Sequence, residues 1–178
     1  MNAETIETSP AAATGIEGRP LRGEAPVPSP QIQLKNILVP VDFSELSLKS
    51  LQYAIPLAQQ FGAKLTLLYV LEPLAYSPEF PYGAPLPPDP AVEIRRELTE
   101  LCRSRIPAEV SADTAVCEDF AHSGVVETAR DMCADLIIMT THGRTGISHL
   151  LMGSTVEKIV RQAPCPVLVL NQGEHEFV

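Results

Sequence analysis

The residues best suited to chemistry in this chain are two glycines and a serine that follow a short apolar run. Gly143 and Gly153 are separated by nine residues, and Ser154 follows Gly153 directly. Glycine lets the backbone turn sharply and approach a ligand closely, and the N–H groups at the start of a helix favour a phosphate. The spacing indicates a phosphate-binding loop, although a turn followed by a capped helix would use the same residues.

Ser154 also belongs to a pattern typical of a helix start. Ser154 and Glu157 have the S-x-x-E spacing of a capping box, in which the serine is the N-cap and the glutamate bonds back to it. Apolar residues then recur with helical spacing. The pattern predicts a helix that begins at Ser154 and ends by Ala163, because Pro164 disfavours helical backbone at the residue before it.

The elements that must position these residues alternate along the chain. Apolar runs typical of strands in a parallel sheet lie at 37–41, 65–70, 136–139 and 166–170, and an alternating run typical of an edge strand lies at 110–116. Helical patterns lie at about 45–61, 91–104, 124–133 and from 154 onward. Strands that alternate with helices predict one α/β domain with a parallel sheet and right-handed crossovers.

Local signals refine these elements. Gly62 stands where a glycine at a helix C-cap is expected. Pro56 should kink or weaken the helix that contains it, because proline lacks a backbone donor. Asp89 and Pro90 together have the pattern of an N-cap followed by proline at the first helical position.

Asp42 is a second candidate for ligand contact because of its place in the predicted sheet. In parallel sheets, ligands bind beyond the carboxyl ends of the strands, where the winding reverses. Asp42 lies at that end of the first strand, and residues 140–146 lie at that end of the fourth. If the sheet reverses between those two strands, both face one crevice. Asp42 has an alternative role as a capping residue for the helix that begins after Phe43 and Ser44.

Two segments lie outside the predicted domain at 34–171, and a third, inside it, differs from the rest in composition. Residues 1–33 cannot bury enough apolar area to offset their ordering entropy, so a disordered tail is expected. Residues 172–178 form a short C-terminal tail. From 72 to 90 the chain contains seven prolines, which predicts an irregular loop. This loop leaves the second strand on the ligand side, so it is a candidate lid.

Composition argues against several classes of protein. The net charge of −9, without a cluster of Lys and Arg, argues against nucleic-acid binding. No apolar stretch approaches the ~20 residues of a membrane span, and the N-terminus lacks the basic start and apolar core of a signal peptide, so a cytoplasmic protein is expected. The four cysteines occur singly, which predicts buried, reduced thiols rather than disulfides.

Several catalytic motifs are absent from the sequence. It contains no G-x-x-x-x-G-K-[ST] phosphate loop, no G-x-G-x-x-G after the first strand and no G-x-S-x-G elbow. The four histidines have no metal-ligand spacing with one another or with a cysteine. A metal site built by protein side chains is therefore not expected.

Three stretches of the chain resemble the universal stress protein family. They are PVDFSELS after the first strand, MTTHGRTGISHLLMGSTVEKIV in the centre and APCPVLVL at the end, and the resemblance covers about residues 34–171. It implies a three-layer, Rossmann-like α/β fold of the adenine nucleotide alpha hydrolase-like type, with a five-stranded parallel sheet in the order 3-2-1-4-5. That order would place the reversal between the first and fourth strands.

The loop of this chain departs from the family pattern at one position. In nucleotide-binding members the loop has the form G-x-x-G-x9-G-[ST]. Gly143, Gly153 and Ser154 match it, whereas Thr140 occupies the position of the first glycine. In binding members that glycine lies close to the ribose. The threonine side chain would therefore either crowd the pocket or replace a backbone contact with a hydroxyl.

The resemblance implies that the ligand is ATP, with Mg²⁺ or Mn²⁺. Asp42, with Pro40 and Val41, would contact the adenine and the ribose. The backbone of Val70 would meet the adenine, and Thr140 would lie beside the ribose.

Phosphates are expected at the backbone N–H groups of Gly143, Gly153, Ser154 and Thr155. Arg144 would either add positive charge there or face solvent. The sequence shows no phosphate-loop lysine and no residue placed to orient a water molecule on the γ-phosphate. No catalytic residue is assigned, and any ATP hydrolysis is expected to be slow.

The resemblance further implies a stress-response protein that binds ATP as a sensor or switch and forms a homodimer through the fifth strand. The residues of that strand are Val167, Leu168, Val169 and Leu170. An unpaired apolar edge strand promotes association, and a twofold partner would cover it. A further protein partner is expected but not identified. The alternative is a nucleotide-free dimeric interaction module whose pocket is closed by Thr140. A third possibility, a hydrolysing or transferring enzyme, would need a base that the sequence does not reveal.

Overall fold

The structure is a computed structural model that describes residues 32–73, 89–141 and 153–171. The chain divides into two units, Met1–Ile32 and Gln33–Val178, and the elements of secondary structure given below belong to the second. The predictions for both tails, for most of the proline-rich loop and for the glycine loop at 142–152 lie outside the described residues.

Strands and helices alternate as the sequence predicts. The strands are β1 (Asn36–Pro40), β2 (Lys64–Leu71), β3 (Ala112–Glu118), β4 (Leu136–Thr140) and β5 (Val167–Leu170). The helices are α1 (Glu45–Lys49), α2 (Leu51–Phe61), α3 (Pro90–Arg105), α4 (Ala121–Asp131) and α5 (Ser154–Gln162).

The five strands form one parallel sheet in the order β3-β2-β1-β4-β5. The predicted order is confirmed. In the centre, Ile37 of β1 pairs with Leu65 of β2 on one side and with Leu136 of β4 on the other. The winding therefore reverses between β1 and β4, as the argument for a shared crevice requires.

Helices cover the sheet in two layers, because right-handed crossovers lead to opposite faces on the two sides of the reversal. On one face, apolar residues from the first three helices pack on β1 and β2; the buried ones are Leu51, Ala54, Ala58 and Leu98. On the other face α4 and α5 pack on β1 and β4 through Val125, Ala129, Val156 and Ile159. The three-layer α/β architecture is confirmed.

The prediction of a single helix at 45–61 is wrong in one respect, because this segment forms two helices, α1 and α2. The break falls at Ser50, whose backbone N–H and hydroxyl both bond to the carbonyl of Ser47. These bonds to the third residue back tighten the chain there. Pro56 lies in the interior of α2, which continues past it to Phe61.

Other helix boundaries agree with their local signals. Gly62 ends α2 in the left-handed conformation with φ 64° and ψ 30°, as the C-cap prediction requires. Asp89 is the N-cap of α3 and accepts from the N–H of Ala91 at 2.9 Å, with Pro90 at the first helical position.

Helix α4 begins at Ala121, three residues before its predicted start at Gly124. Glu72, just beyond the end of β2, accepts a hydrogen bond from the N–H of Ala121 at 3.1 Å. The partner that marks this helix start is therefore distant in sequence, and the local pattern could not reveal it.

The four cysteines are free thiols, as predicted, but none of them is fully buried as expected. Cys133 is exposed, whereas Cys102, Cys117 and Cys165 are half-buried. Burial raises the pKa of each of these three half-buried thiols.

Candidate functional site

The predicted site lies where β1 and β4 end side by side. Leu38 of β1 pairs with Ile137 of β4, so the chain leaves both strands at the same edge of the sheet. From β1 it turns towards α1 on one face, and α5 begins on the other face. Parallel sheets bind ligands at such an edge. Of the predicted site residues, only Gly143 and Arg144 lie outside the described residues.

The residues after β1 are held by hydrogen bonds. Pro40 is the last residue of the strand, and the N–H of the buried Val41 donates to the carbonyl of Leu68 at 2.8 Å. Oδ1 of Asp42 accepts from the N–H of Ser44 at 3.0 Å and from its hydroxyl at 2.6 Å. Ser44, not Asp42, is the N-cap of α1. The alternative role of Asp42 as the cap is therefore wrong, because the N-cap position falls two residues later, at Ser44.

Between these residues, Phe43 has an unusual backbone. Its φ of 63° lies in the left-handed region, which residues with a side chain rarely adopt. Its ring stacks on Tyr69 of β2, with the ring centroids 5.2 Å apart and the planes 27° from parallel. Such strain persists where the surroundings over-determine it, and it is frequent at functional sites.

Val70 lies in the part of β2 that continues past the end of β1. The pairing between β1 and β2 stops at Pro40 and Leu68, so Val70 lies past the last paired residue. Its side chain points to the α4 layer, where a Cβ at Gly124 would come within 2.8 Å of Val70 Cγ1. The glycine lets α4 approach β2 closely. This leaves the backbone of Val70, rather than its side chain, as the part that can contact a ligand.

Helix α5 begins without the predicted capping box, and that prediction is wrong. The N-cap is Gly153, with φ −57° and ψ 145°, so Ser154 is already the first helical residue. The carboxylate of Glu157 accepts from Arg161, at 3.0 Å from Nε and 2.9 Å from Nη2. It therefore stabilises the next turn of the helix instead of the first.

Gly153 is favoured by the limited space around it and not by its backbone angles. A φ of −57° is open to any residue, but a Cβ at this position would lie 3.3 Å from the carbonyl oxygen of Thr141. Thr141 is held in turn, because its N–H donates to the carbonyl of Leu170 at 3.0 Å. The start of α5 is thus packed closely against the end of β4.

The start of α5 differs from those of three other helices. Ser44 accepts from the N–H of Ser47 in α1, and the carboxylates of Asp89 and Glu72 accept from first-turn amides of α3 and α4. Gly153, the N-cap of α5, has no side chain that could accept from the first turn, and no other described side chain does so. A helix start of this kind is a favourable place for an anion.

Sequence reasoning missed several residues that shape this edge. Ser44 and Ser47 were not singled out, although a serine two residues after an aspartate is a known turn signal. No signal in the sequence pointed to the left-handed conformation of Phe43 or to its contact with Tyr69, because that contact joins the turn after β1 to β2.

A surface groove within the described part of the chain lies elsewhere. It has a volume of about 390 Å³ and runs along α1 and α2, past Leu48 and Ile55, to Arg105 at the end of α3. It includes none of the predicted nucleotide contacts. Among the described residues there is no cluster of His, Cys, Asp and Glu that could hold a metal ion, and none of their helices could cross a membrane.

The fold and this edge together define a doubly wound α/β protein with its reversal at β1 and β4. The model of the universal stress protein family matches residues 33–171, and the chain belongs to this family. It is 32% identical over 151 residues to universal stress protein MJ0531 of Methanocaldococcus jannaschii, covering 80% of this chain and 85% of the relative. It is 33% identical over 141 residues to universal stress protein A homolog 1 of Coxiella burnetii, covering 76% and 95%.

Solved structures share the fold. Universal stress protein UspA from Lactobacillus plantarum superposes with a TM-score of 0.59 at 24% identity, over 79% of this chain and 100% of the other. A universal stress protein in complex with cAMP has a TM-score of 0.58 at 20% identity, over 80% and 100%. One from Archaeoglobus fulgidus in complex with dAMP has a TM-score of 0.55 at 17% identity, over 78% and 98%.

Proposed function

We propose that this protein binds ATP at the edge where β1 and β4 end, and that it acts as a nucleotide-dependent sensor or switch in a cytoplasmic stress response. The observation that supports this most is the start of α5, where Gly153 provides no capping side chain and the described residues supply no other. A phosphate would complete the hydrogen bonds of that first turn.

The remaining contacts follow from the arrangement of the edge. Pro40, Val41 and Asp42 would face the adenine and ribose, and Val70 would offer its backbone to the adenine. Thr140, the last residue of β4, would lie beside the ribose. Two solved relatives with this fold hold cAMP and dAMP. Both ligands contain an adenine, a sugar and a phosphate, which are the groups that this edge would accept.

The phosphate side of the proposed site involves Gly153, Ser154 and Thr155, with Gly143 and Arg144 from the preceding loop. Mg²⁺ or Mn²⁺ would bind chiefly to the phosphate oxygens, as Mg²⁺ does in many nucleotide sites. We assign no general base and no catalytic lysine, so any hydrolysis would be slow.

The proposal includes a homodimer formed by β5. This strand lies at the edge of the sheet and pairs only with β4 within the described chain. Leu168 and Leu170 pack on one layer and Val167 and Val169 on the other, and all are only half-buried. Twofold pairing of two such edges would be antiparallel and would satisfy both rows of backbone groups.

The first test identifies the ligand directly. The freshly purified protein is denatured, and released small molecules are identified by mass spectrometry. We expect stoichiometric ATP or another adenine nucleotide. If the protein is purified empty, we expect it to bind ATP with magnesium in calorimetric titration.

Two variants accompany this test. Gly153→Glu places a carboxylate at the start of α5 and should abolish binding, whereas Gln162→Glu adds the same charge at the far end of α5 and should not. An empty wild-type protein that also ignores millimolar ATP with magnesium would reject the nucleotide proposal. The nucleotide-free dimeric interaction module would then be the better account, and sedimentation analysis would test the dimer by itself.

A further inference from the structure

We infer that Ser44 is a positioning residue for the nucleotide, because it holds the carboxylate of Asp42 in one orientation. This inference rests on the proposed nucleotide site. Both the backbone N–H and the hydroxyl of Ser44 donate to the same oxygen, Oδ1 of Asp42, at 3.0 and 2.6 Å. Two donors on one oxygen, one of them at the short distance typical of a charged acceptor, restrict rotation of the Asp42 side chain.

The hydroxyl of Ser44 donates its one hydrogen to the carboxylate of Asp42. Its oxygen already accepts from the N–H of Ser47 at 3.1 Å as the N-cap of α1. A serine hydroxyl has a single hydrogen, and the carboxylate of Asp42 receives it. The cap of the helix and the orientation of the carboxylate are therefore set by one side chain.

The backbone of Asp42 is tied to the same turn. Its N–H donates to the hydroxyl of Ser47 at 3.3 Å, and that hydroxyl donates to the carbonyl of Ser44 at 2.9 Å. Ser47 is buried, so the turn has a fixed support. Asp42 is thus joined to α1 through its side chain and through its backbone, which closes a ring of hydrogen bonds.

Phe43 sets the distance between the two partners. Its left-handed backbone turns the chain so that Ser44 faces back towards Asp42, and the stack on Tyr69 holds it in that conformation. The orientation of Asp42 is therefore prepared before any ligand binds. A preorganised side chain loses less entropy on binding, and this raises affinity.

The central experiment is a double-mutant cycle in which ATP affinity is measured by calorimetry. Ser44→Ala should weaken ATP binding by about 3- to 10-fold, because it removes the shorter of the two hydrogen bonds on Oδ1 of Asp42, and the ligand must then restrict more of the motion of that side chain. In an Asp42→Ala background the same change should have almost no effect on affinity, since no carboxylate remains to be held. Ser44→Thr keeps the hydroxyl and should restore wild-type affinity.

A matched control separates positioning from helix capping. Asp89→Ala removes the cap of α3, and its effect on thermal stability should be similar to that of Ser44→Ala. It should leave ATP affinity unchanged. An equal loss of affinity from Ser44→Ala in both backgrounds, or a failure of threonine to rescue, would overturn the inference.

A measurement without nucleotide distinguishes the two proposals. Three-bond NMR couplings of the Asp42 side chain should report a single rotamer in the wild type and in Ser44→Thr, and averaging in Ser44→Ala. Averaging in the wild type would refute the positioning role of Ser44. A fixed rotamer in a protein that never binds nucleotide would refute the proposed function, and it would confine the role of Ser44 to holding Asp42.

Discussion

Helices α4 and α5 lie in the same layer, begin at the same edge of the sheet and differ at their first residues. In the first turn of α4, the N–H of Ala121 donates a hydrogen bond to the carboxylate of Glu72. The first turn of α5 follows Gly153 and receives no side chain from the described residues. The N–H groups of a helix start can be satisfied by a side chain, by water or by a ligand. Of these two helices, α5 is therefore the one at which we propose that an external anion binds.

The contrast extends to the opposite end of the sheet, where the strands begin. There Asp135 accepts from the backbone N–H groups of Lys35 at 2.7 Å and Asn36 at 2.9 Å. These bonds tie the start of β1 to the start of β4. At the amino ends of these strands, as at the start of α4, side-chain carboxylates of the protein accept from its own backbone N–H groups. The start of α5 differs from both in this respect.

The largest effect on ATP affinity is expected from a variant that gives α5 a capping side chain of its own. Gly153→Asp should weaken ATP binding by about 100-fold, because the carboxylate takes the first-turn N–H groups and repels the phosphates. The Cβ also presses on the carbonyl of Thr141. Calorimetric titration measures the change, with Gly153→Ala as the control for the added Cβ alone. Equal losses in the two variants would show that crowding, and not the carboxylate, excludes the ligand.

The converse change removes the cap of α4. Glu72→Ala should lower the free energy of unfolding by about 1 kcal/mol, since an exposed N–H loses a charged acceptor. ATP affinity should stay as in the wild type. Thermal unfolding and titration of the same sample test both statements, and Glu72→Gln, which keeps an oxygen acceptor, should lie between the two. A loss of affinity would mean that α4 also belongs to the site.

A smaller effect on ATP affinity is expected from substitutions of Thr140 at the end of β4. Thr140→Gly restores the family's first glycine and should tighten ATP binding by about 3-fold if the threonine side chain crowds the ribose. A 3-fold change is about 0.65 kcal/mol, slightly below the range of about 1–3 kcal/mol that overpacking usually costs. Thr140→Ser keeps the hydroxyl but removes the methyl group and serves as the control. Weaker binding by the glycine variant would instead indicate that the hydroxyl contacts the ligand.

The smallest expected effect concerns pH at the amino edge. The backbone N–H groups of Lys35 and then Asn36 lower the pKa of Asp135 below its usual value. A lowered native pKa means that this contribution to stability is complete above the unfolded pKa of about 3.9 and is lost as pH falls through the native value. Asp135→Asn should therefore be less stable than the wild type at pH 7, and the difference should shrink as the pH approaches 3 in denaturant titrations. A difference that is constant with pH would assign the effect to packing.

Local chemistry allowed much of the fold to be predicted. The five strands and the cap at Asp89 were predicted because alternation, apolar runs and cap residues act over a few neighbouring positions. The sheet order came from the resemblance to a family and is confirmed. The residues Asp42, Thr140 and Gly153 were placed at the correct strand and helix ends by the same local patterns.

By itself, then, the amino-acid sequence determined the order and type of the elements and the edge at which a ligand is expected. Only the tertiary structure decided how α4 and α5 start. Glu72 caps α4 from 49 residues away. Gly153, not Ser154, is the N-cap of α5, and it lies close to the carbonyl of Thr141. Periodicity along the chain carries no information about such contacts, since they depend on which strand ends lie side by side.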